Sequence, residues 1–217
     1  MKARAPFQQN ATGAMTYPDR GTVNRLLFKS PLIWWRMGMG SILGHSMLVL
    51  NTWGRNSHLP RHTMLSYTPM KDCIYIGAGW GLRCDWYRNL LAEAHVTLQL
   101  SDEQVTGKHG EVVIPAIARR VTDEEEFRQA TQRLFEDRGD SHMKPWLASL
   151  GIDYDHKDLV AKRERVNQVA LELKPLEPGD KLDLKVYPAP METDLKWVWA
   201  VMAGAFSLGW FTGRLRR

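Results

Sequence analysis

A short loop at 54–63, with the sequence GRNSHLPRHT, collects side chains that could bind a phosphate group. Arg55 and Arg61 could offer cationic forks to the phosphate oxygens, and Ser57 could offer a hydroxyl. On spacing alone, a solvated hairpin loop is the simpler interpretation. Both interpretations stay open until the neighbouring elements are considered.

Histidine spacing in the same loop argues against a metal ion. His58 and His62 are four positions apart and could share a metal on one helical face, but Pro60 lies between them and breaks a helix. Cys73 and Cys84 form no C-x-x-C pair, so neither a zinc site nor a disulfide framework is indicated. We therefore predict no metal site.

Three glycines, Gly77, Gly79 and Gly81, follow a strand-like segment and precede a helix-like one. Their G-x-G-x-G spacing and the antiparallel character of the surrounding strands do not fit a dinucleotide-binding fold. The pattern indicates a glycine-rich turn whose backbone closely approaches another group, which could be a flat ligand. In the helix that follows, Trp86 and Tyr87 are by default core aromatics.

The elements that must position these residues are mostly short strands. Apolar or alternating patterns predict them at 46–52, 63–68, 73–78, 96–100, 111–120 and 167–174. Residues 84–93 have helical periodicity, and another helix begins at Thr122, where Thr122 and Glu125 form a candidate capping box. Strands at this density predict an α+β fold built on a small β-barrel with flanking helices.

The C-terminal segment 197–213, WVWAVMAGAFSLGWFTG, carries no charged residue and lies between Lys196 and Arg214. As a helix it would span roughly 25 Å, a little less than the hydrocarbon core of a bilayer. The tryptophans near both ends fit the aromatic belts of the two membrane interfaces. We predict a transmembrane helix; the alternative is a C-terminal helix docked on the domain's own core.

A stripe of small residues on this segment, Ala205, Gly209 and Gly213, would let another transmembrane helix approach closely. Membrane lipid and integral membrane subunits are therefore predicted partners. The N-terminus is basic without a following apolar run, so it is no secretory signal. We predict a single-pass C-terminal anchor in the cell membrane, with the main domain in the cytoplasm.

Composition indicates one domain with an appendage. The 217 residues carry a net charge of +5 and a pI near 9.3, which suits anionic headgroups or a phosphorylated ligand. No basic stripe with interleaved aromatics suggests nucleic acid as a partner. We divide the chain into a flexible arm at 1–22, a barrel domain at 23–175, a Pro-rich linker at 176–194, and the anchor with a basic tail at 195–217.

Taken in order, these motifs resemble a known family. The runs LVLNTWGRNSHLPRHTMLSY, CIYIGAGWG, DWYRNLLAEAHVTLQL and ARRVTDEEEFRQATQRLF are similar to the deazaflavin-dependent nitroreductase and quinone reductase family, whose members carry a G-R-x-[ST]-G-x-P-R loop and a W-Y-x-N-L helix. The resemblance covers roughly residues 22–175. The matching positions are Gly54, Arg55, Ser57, Pro60, Arg61, Trp86, Tyr87, Asn89 and Leu90.

The resemblance implies a split β-barrel related to FMN-binding flavin reductases. It implies a deazaflavin coenzyme of the F420 type, with FMN as a second choice and a cofactor-free protein as a third. The implied cofactor contacts come from Arg55, Ser57, Pro60, Arg61, Trp86 and Tyr87, with Ala78, Gly79, Trp80 and Gly81 beside the ring. The reduced coenzyme would deliver a hydride to a quinone, with no catalytic side chain, and Trp146 and Tyr154 are candidates for the acceptor side.

This chain departs from the family pattern mainly in its cations. Asn56 stands where the family usually has lysine, and His58 stands where it has glycine. Ala78 and Gly79 replace a serine-lysine pair that members often carry in the glycine-rich turn. Each lost charge-assisted contact should weaken coenzyme binding by about 1 kcal/mol.

Two functions from different classes follow from these features. The first is a membrane-anchored oxidoreductase that transfers a hydride from a reduced deazaflavin or flavin cofactor to a quinone-like acceptor. The second is a non-catalytic accessory or structural subunit of a larger respiratory or photosynthetic membrane complex, which keeps the fold but has lost the cofactor. The order of the motifs favours the first, and the reduced set of cations favours the second.

Overall fold

The computed structural model describes residues 23–71 and 73–215. Its centre is one antiparallel sheet with the strand order β2-β1-β5-β6-β7-β4-β3. The strands are β1 Met47–Trp53, β2 Pro60–Ser66, β3 Thr68–Met70, β4 Cys73–Gly77, β5 His95–Leu100, β6 Val112–Arg120 and β7 Gln168–Leu173. β1 and β5 are buried along nearly their whole length, which shows that other parts of the chain cover both faces of the sheet.

The sheet curls into a half-barrel. β2 and β3 are its opposite edges, yet Tyr67 alone separates them in sequence, so the two edges must come together in space. The Tyr67 hydroxyl lies 3.1 Å from the Gly44 carbonyl oxygen and 3.2 Å from the Asp102 carboxylate. Burial raises the pKa of Tyr67, so the hydroxyl stays protonated and can donate its one hydrogen to either of these acceptors.

Helices flank the sheet on both faces. They are α1 Val23–Trp34, α2 Gly40–Leu43, α3 Asp85–Ala92, α4 Glu103–Thr106, α5 Glu124–Arg138, α6 Asp140–Ser149, α7 His156–Ala161, α8 Arg163–Val166 and α9 Trp197–Leu215. A π-helical turn, Trp35–Met39, joins α1 to α2, and a 3-10 turn, Gly81–Arg83, precedes α3.

The start of α5 differs from the predicted capping box. The cap is Asp123, whose carboxylate accepts a hydrogen bond from the Glu126 amide at 2.7 Å. Aspartate caps a helix at least as well as threonine does, so the helix begins one residue beyond the position that Thr122 predicted.

Apolar clusters hold the layers together on the two faces of the sheet. On one face, Leu50 and Leu98 of the strands pack with Trp86 and Leu90 of α3. On the other face, Phe127, Leu147 and Leu159 of the helices pack against Tyr75 and Ala170. A smaller cluster on that second face contains Trp35, Val49, Met64 and Met191. Trp86 and Tyr87, which the sequence analysis took as core aromatics by default, therefore fix α3 to the sheet.

Residues 186–194, here named the C-terminal strap, lie against β5. The Gln99 side chain donates to the Met191 carbonyl oxygen at 2.9 Å and accepts from the Met191 amide at 3.0 Å. The Thr97 hydroxyl donates to the Pro188 carbonyl oxygen at 3.0 Å. The end of the segment predicted as a linker is thus bonded to the sheet by buried polar side chains.

The predicted combination of a small split β-barrel with a transmembrane helix is wrong. The chain forms the curled seven-stranded half-barrel with flanking helices, and none of the helices in the described residues is both long enough and apolar enough to cross a membrane. α9, Trp197–Leu215, forms over the predicted segment, but it does not meet both of these requirements. The predicted single-pass anchor, and the cell-membrane localisation derived from it, are corrected accordingly.

The first turn of α9 is docked on the chain itself. Trp199 donates from its indole nitrogen to the Met37 carbonyl oxygen at 2.7 Å, and the Leu195 amide donates to the Arg36 carbonyl oxygen at 3.1 Å. Only this turn is docked, because the side chains of Val201, Met202 and Phe206 farther along the helix are exposed.

The remaining terminal predictions fall largely outside what the structure describes. Ala205 is exposed on α9, while the surroundings of Gly209 and Gly213 lie beyond the described side chains. The arm at 1–22 also lies outside the described residues.

Candidate functional site

A cleft of about 1190 Å³ lies beside residues 54–61, here named the arginine loop. It is lined by α1 with the π-helical turn, the arginine loop, β2, the segment from Gly77 to Asn89, and the strap. Ligand sites in proteins are commonly about 300–1,000 Å³, so this cleft is large enough for an aromatic coenzyme together with a second small molecule.

The arginine loop is a tight turn that presents Ser57 and Arg61 side by side. The Gly54 amide donates to the Leu59 carbonyl oxygen at 2.9 Å and closes the loop. Arg61 donates from Nη2 to Ser57 Oγ at 3.0 Å. A Cβ at Gly54 would lie 2.4 Å from Ser57 Oγ, so a larger residue there would displace the Ser57 hydroxyl. The loop thus brings a hydroxyl and a guanidinium together, which are the groups that bind phosphate oxygens.

His58 takes a left-handed backbone conformation, with φ of 49°. Its amide donates to the Gly54 carbonyl oxygen at 2.7 Å, which helps to fix the turn. A left-handed conformation costs a residue other than glycine about 1 kcal/mol or more. The glycine that the family pattern places here therefore has a conformational reason, and this chain keeps the turn with a histidine.

Arg55 is bound to α3. Its Nη1 donates to Asn89 Oδ1 at 3.1 Å, and its Nη2 lies 3.4 Å from the Asp85 carboxylate. Asn89 in turn donates to Thr52 Oγ1 at 3.2 Å, and Asp85 also pairs with Arg88 at 2.5 Å. The W-Y-x-N-L helix therefore positions Arg55 and offsets part of its charge.

Arg61 is the less compensated of the two loop arginines. Within residues 23–71 and 73–215, no carboxylate lies within ion-pair distance of Arg61. Arg36 also lines the cleft, but Asp194 holds it through two hydrogen bonds of 2.8 and 2.7 Å. These bonds raise the pKa of Arg36 and lower the pKa of Asp194. Arg61 is accordingly the loop cation best placed to meet an anion.

His62 lines the cleft from β2 and is held by a chain of buried polar groups. Its Nδ1 lies 2.7 Å from Asn51 Oδ1, and Asn51 donates to Thr97 Oγ1 at 2.8 Å. Thr97 uses its single hydroxyl proton on the Pro188 carbonyl oxygen, so Asn51 must turn its amide hydrogens to Thr97 and its oxygen to His62. The hydrogen of the neutral ring is therefore on Nδ1, which leaves Nε2 as the second polar atom of the ring.

Gly77 lines the cleft, whereas Ala78 is buried in the apolar cluster that contains α3, and Gly79 is buried beside Trp146 of α6. A Cβ at Gly79 would lie 3.1 Å from Trp146 Nε1, and a Cβ at Gly77 would lie 3.5 Å from the same indole. The backbone of the turn does approach a flat group closely, and within the described residues that group is the indole of Trp146.

Of the aromatic candidates, Trp80 and Trp86 line the cleft. Tyr87 turns into the core, with its hydroxyl 3.4 Å from Asn167 Oδ1, and its ring meets Trp86 edge to face at 5.9 Å. Gly81, with φ of 48°, starts the 3-10 turn between the two tryptophans. The cleft therefore receives two indole rings from this region.

Trp146 and Tyr154 are outside the cleft lining, whereas Pro60 is part of it. Tyr154 is 43% exposed; its hydroxyl donates to the Asp140 carboxylate, and its ring meets Phe135 edge to face at 5.4 Å. The structure does not bring the two acceptor-side candidates together with the arginine loop.

The sequence analysis missed one wall of the cleft, which consists of α1, Arg36 and the strap. The bond from Arg36 to Asp194 joins distant parts of the chain, so no local pattern predicts it. The sequence analysis considered His62 only as a possible metal ligand. Its i,i+2 spacing from Met64 on a strand was a signal that both residues share one face, opposite Asn51 and Val49 of β1.

Among the described residues, no three His, Cys, Asp or Glu side chains are grouped so as to hold a metal ion.

Part of the chain that lines this cleft matches a known family. Residues 36–138 match the F420H(2)-dependent quinone reductase family. The matched stretch contains the arginine loop, the glycine-rich turn and α3, while α1 and the strap lie outside it. The match supports the resemblance to this reductase family over that stretch of the chain.

Several solved structures align with the chain at low identity. HutZ, described as a heme storage protein from Vibrio cholerae, is 14% identical and covers 68% of this chain and 89% of its own, with a TM-score of 0.41. The F420-H2-dependent reductase FDR-A is 17% identical and covers 59% and 94%, with a TM-score of 0.40. Atu2129 from Agrobacterium tumefaciens, of unknown function, is 14% identical and covers 80% and 65%, with a TM-score of 0.41.

These identities and TM-scores are too low to carry an argument about ligand or function. A search of curated proteins gave no significant match.

Proposed function

We propose that this chain is an oxidoreductase that uses a reduced deazaflavin coenzyme of the F420 type to reduce a quinone-like acceptor in the cleft. The observation that carries the proposal is that one cleft of about 1190 Å³ joins the arginine loop with Trp80 and Trp86. The family match over residues 36–138 supports the same chemistry from an independent direction.

The residues of the cleft fit an anionic aromatic coenzyme. Ser57 and Arg61 offer a hydroxyl and a guanidinium to phosphate oxygens, and the guanidinium fork matches an oxyanion in geometry. Trp80 and Trp86 offer apolar rings beside which a flat ring system can lie. Because Asp85 offsets the charge of Arg55, we expect Arg61 to contribute more to coenzyme binding than Arg55 does.

The apolar part of the lining suits a quinone-like acceptor. α1 contributes Leu26, Leu32 and Ile33, and Met64 and Met191 add side chains that adapt to ligands of different shape. Such apolar walls favour uncharged ring compounds over charged ones. In this arrangement α1 and the strap, rather than Trp146 and Tyr154, would hold the acceptor.

The kinds of side chain present indicate what the coenzyme and the protein would each contribute to the reaction. When bound, the reduced deazaflavin supplies the hydride. Ser57 and Arg61 would hold its phosphate-containing tail, and the tryptophans would restrict its ring. The protein would thus accelerate the reaction by placing donor and acceptor in contact.

Binding and turnover of the full chain test the proposal. The chain is titrated with the deazaflavin coenzyme and with FMN, each followed by its fluorescence, and the reduced coenzyme is then mixed anaerobically with menadione while deazaflavin absorbance is recorded. We expect binding of the deazaflavin coenzyme and return of the oxidised absorbance. Arg61→Gln should weaken binding about tenfold or more, because a charge-assisted contact contributes about 1.5–3 kcal/mol.

A matched control removes an arginine elsewhere. Arg128→Gln changes an exposed side chain of α5 that pairs with Glu125, so it should bind the coenzyme like the parent protein. If neither coenzyme binds at high micromolar concentration while the protein is folded, the enzyme proposal is rejected in favour of a non-catalytic role.

A further inference from the structure

We propose that the outer edge of β2 binds the acceptor, through a hydrogen bond from the backbone amide of His62 or Met64 to a carbonyl oxygen of the acceptor. The inference rests on the proposed function, because it describes how the quinone-like acceptor is held. Its main test reads backbone amides without any coenzyme present, so it can fail or succeed independently of hydride transfer.

The two walls of the cleft stand on opposite faces of β2. Met64 belongs to the apolar cluster that contains Leu32 of α1 and Met191 of the strap. Its neighbour Leu65 packs against the other cluster, which contains Trp86 of α3. A ring held by the tryptophans and an acceptor held by α1 are therefore separated by β2, and they can meet only past its outer edge.

The cleft follows that edge. β2 is the first strand in the order of the sheet, so only one of its sides pairs with another described strand, β1. Every residue from 60 to 65 lines the cleft. Successive side chains of a strand point to opposite faces, so a cleft on one face would be lined by every second residue. The continuous lining indicates that the backbone edge itself is open to the cleft.

The hairpin between β1 and β2 fixes the pattern of backbone hydrogen bonds. The Gly54 amide donates to the Leu59 carbonyl oxygen at 2.9 Å. The next pair is Trp53 opposite Pro60, which has no amide hydrogen to donate. Hydrogen-bonded and non-hydrogen-bonded pairs alternate along an antiparallel ladder, so the pair at Pro60 is of the second kind.

This alternation decides which amides of β2 face the cleft. Arg61 and Thr63 form hydrogen-bonded pairs with β1, whereas His62 and Met64, like Pro60, direct their backbone groups away from β1. In the part of the chain that the structure describes, no other strand pairs with this side of β2. The edge therefore offers two backbone donors between the two walls of the cleft.

A backbone amide suits the oxygen of an acceptor that is being reduced. Hydride transfer moves two electrons and one hydrogen to the quinone, oxidises the coenzyme, and leaves a hydroquinone monoanion that one solvent proton then neutralises. The negative charge develops on oxygen, so a fixed N–H donor stabilises it more strongly than it stabilises the neutral quinone. The edge would thus both orient the acceptor and favour its reduction.

Amide NMR of the full chain, without coenzyme, tests the inference. The chain is titrated with menadione and with 2-methylnaphthalene, a ligand of similar shape that has no carbonyl oxygen. A hydrogen bond moves an amide proton signal downfield, whereas an aromatic ring alone affects the signal similarly with either ligand. We expect the downfield shift at His62 or Met64 with menadione only, and none at Arg61 and Thr63, whose amides are bonded to β1.

Paired substitutions separate the amide from the side chain. Met64→Pro removes the amide hydrogen at an outward-facing position, where proline is already tolerated at Pro60, and Met64→Ala removes the same side chain but keeps the amide. His62→Pro and His62→Ala form the second pair. In at least one pair the proline variant should bind menadione about two- to tenfold more weakly than the alanine variant, which is the contribution of one hydrogen bond. If the proline variants do not fold, the titration of the parent chain decides.

Equal shifts with menadione and 2-methylnaphthalene at both amides would overturn the inference. Proline variants that bind menadione as well as their alanine counterparts would also do so. A downfield shift with the deazaflavin coenzyme and not with menadione would show that the edge holds the coenzyme instead. Turnover without any amide response to menadione rejects the inference and leaves the proposed function standing, whereas a menadione response from a chain that does not bind the coenzyme does the reverse.

Discussion

The side chain of Gln99 pairs with the backbone of Met191 through two hydrogen bonds of 2.9 and 3.0 Å, in the way that a neighbouring strand would. Both residues are buried, and the pair joins β5 to the strap. Because the strap also lines the cleft, one amide side chain links the stability of the C-terminal segment to the shape of the candidate site.

Replacement of Gln99 by alanine should loosen the strap. The substitution leaves the buried amide and carbonyl of Met191 without their partners, at a cost of about 1–3 kcal/mol. Denaturant unfolding should show this loss, and hydrogen exchange at the Met191 amide should become faster. Gln132→Ala, which removes an exposed glutamine of α5, should change neither quantity by much. Unchanged exchange at Met191 would mean that the strap is held by other contacts.

Replacement of His58 by glycine should stabilise the protein. Glycine adopts φ of 49° without the penalty that histidine has, although it also gains freedom in the unfolded chain. The net gain should be about 0.5–1 kcal/mol in the free energy of unfolding. His58→Ala serves as the control, because it removes the imidazole and keeps the conformational penalty. If the alanine variant gains as much as the glycine variant, the imidazole and not the backbone is the source of the effect.

Replacement of Asp85 by asparagine should increase the affinity of the cleft for oxyanions. Arg55 would keep its bond to Asn89 but lose the carboxylate that offsets its charge. We expect sulfate and coenzyme to bind several-fold more tightly, with a stability loss of about 1 kcal/mol or less because α3 loses an acidic residue from its first turn.

Asp140→Asn is the matched control for this change. It removes an aspartate from the first turn of α6, away from the cleft, so it should lower stability similarly and leave anion binding unchanged. Equal affinity in Asp85→Asn and the parent chain would show that Arg55 does not take part in anion binding.

Glu126 should contribute to stability in a manner that depends on pH. It accepts two hydrogen bonds from Arg119, at 2.8 and 2.6 Å, and one from Tyr75 at 2.8 Å. The Arg119 bonds, and then the Tyr75 bond, hold the pKa of Glu126 below its ordinary value. A carboxyl whose pKa is lower in the folded state stabilises the fold above the ordinary carboxyl pKa, and that contribution is lost as the pH falls toward the folded value.

The measurement compares the unfolding free energies of the parent chain and Glu126→Gln across pH. Since Arg119 is partly exposed, we expect a gap of about 1 kcal/mol at neutral pH, narrowing below about pH 4. Glu136→Gln controls for the loss of one negative charge from the exposed face of α5. A gap that stays constant down to low pH would point to packing rather than charge.

Local periodicity was sufficient to predict most of the sheet. The predictions at 46–52, 96–100 and 167–174 agree with β1, β5 and β7 within one residue, because their apolar residues, in a continuous run or in alternation, pack into a core. β2 begins earlier than predicted, at Pro60, since proline is tolerated at the first position of an edge strand. β3 was missed because three residues that include a proline produce no periodic signal.

Only the part of the candidate site that is formed by neighbouring residues could be predicted from the sequence. The arginine loop and α3 could be recognised because each is encoded by a short continuous sequence motif. The structure brings Arg55, Ser57 and Arg61 to one cleft. The other wall depends on contacts between distant residues, such as Arg36 with Asp194. The indole of Trp146, which covers Gly79, is likewise invisible to any local pattern.

The pairing of β4 with β7 constrains the order in which the strands of a newly synthesised chain can pair. Cys73 of β4 lies opposite Glu172 of β7, about 100 residues later in synthesis, and such distant pairings are slow to form. Until β7 leaves the ribosome, β3 and β4 form an isolated hairpin with an unpaired, apolar edge that invites aggregation. Ribosome-bound chains that stop before Gln168 should therefore recruit chaperones, and those long enough for Leu173 to have left the exit tunnel should release them.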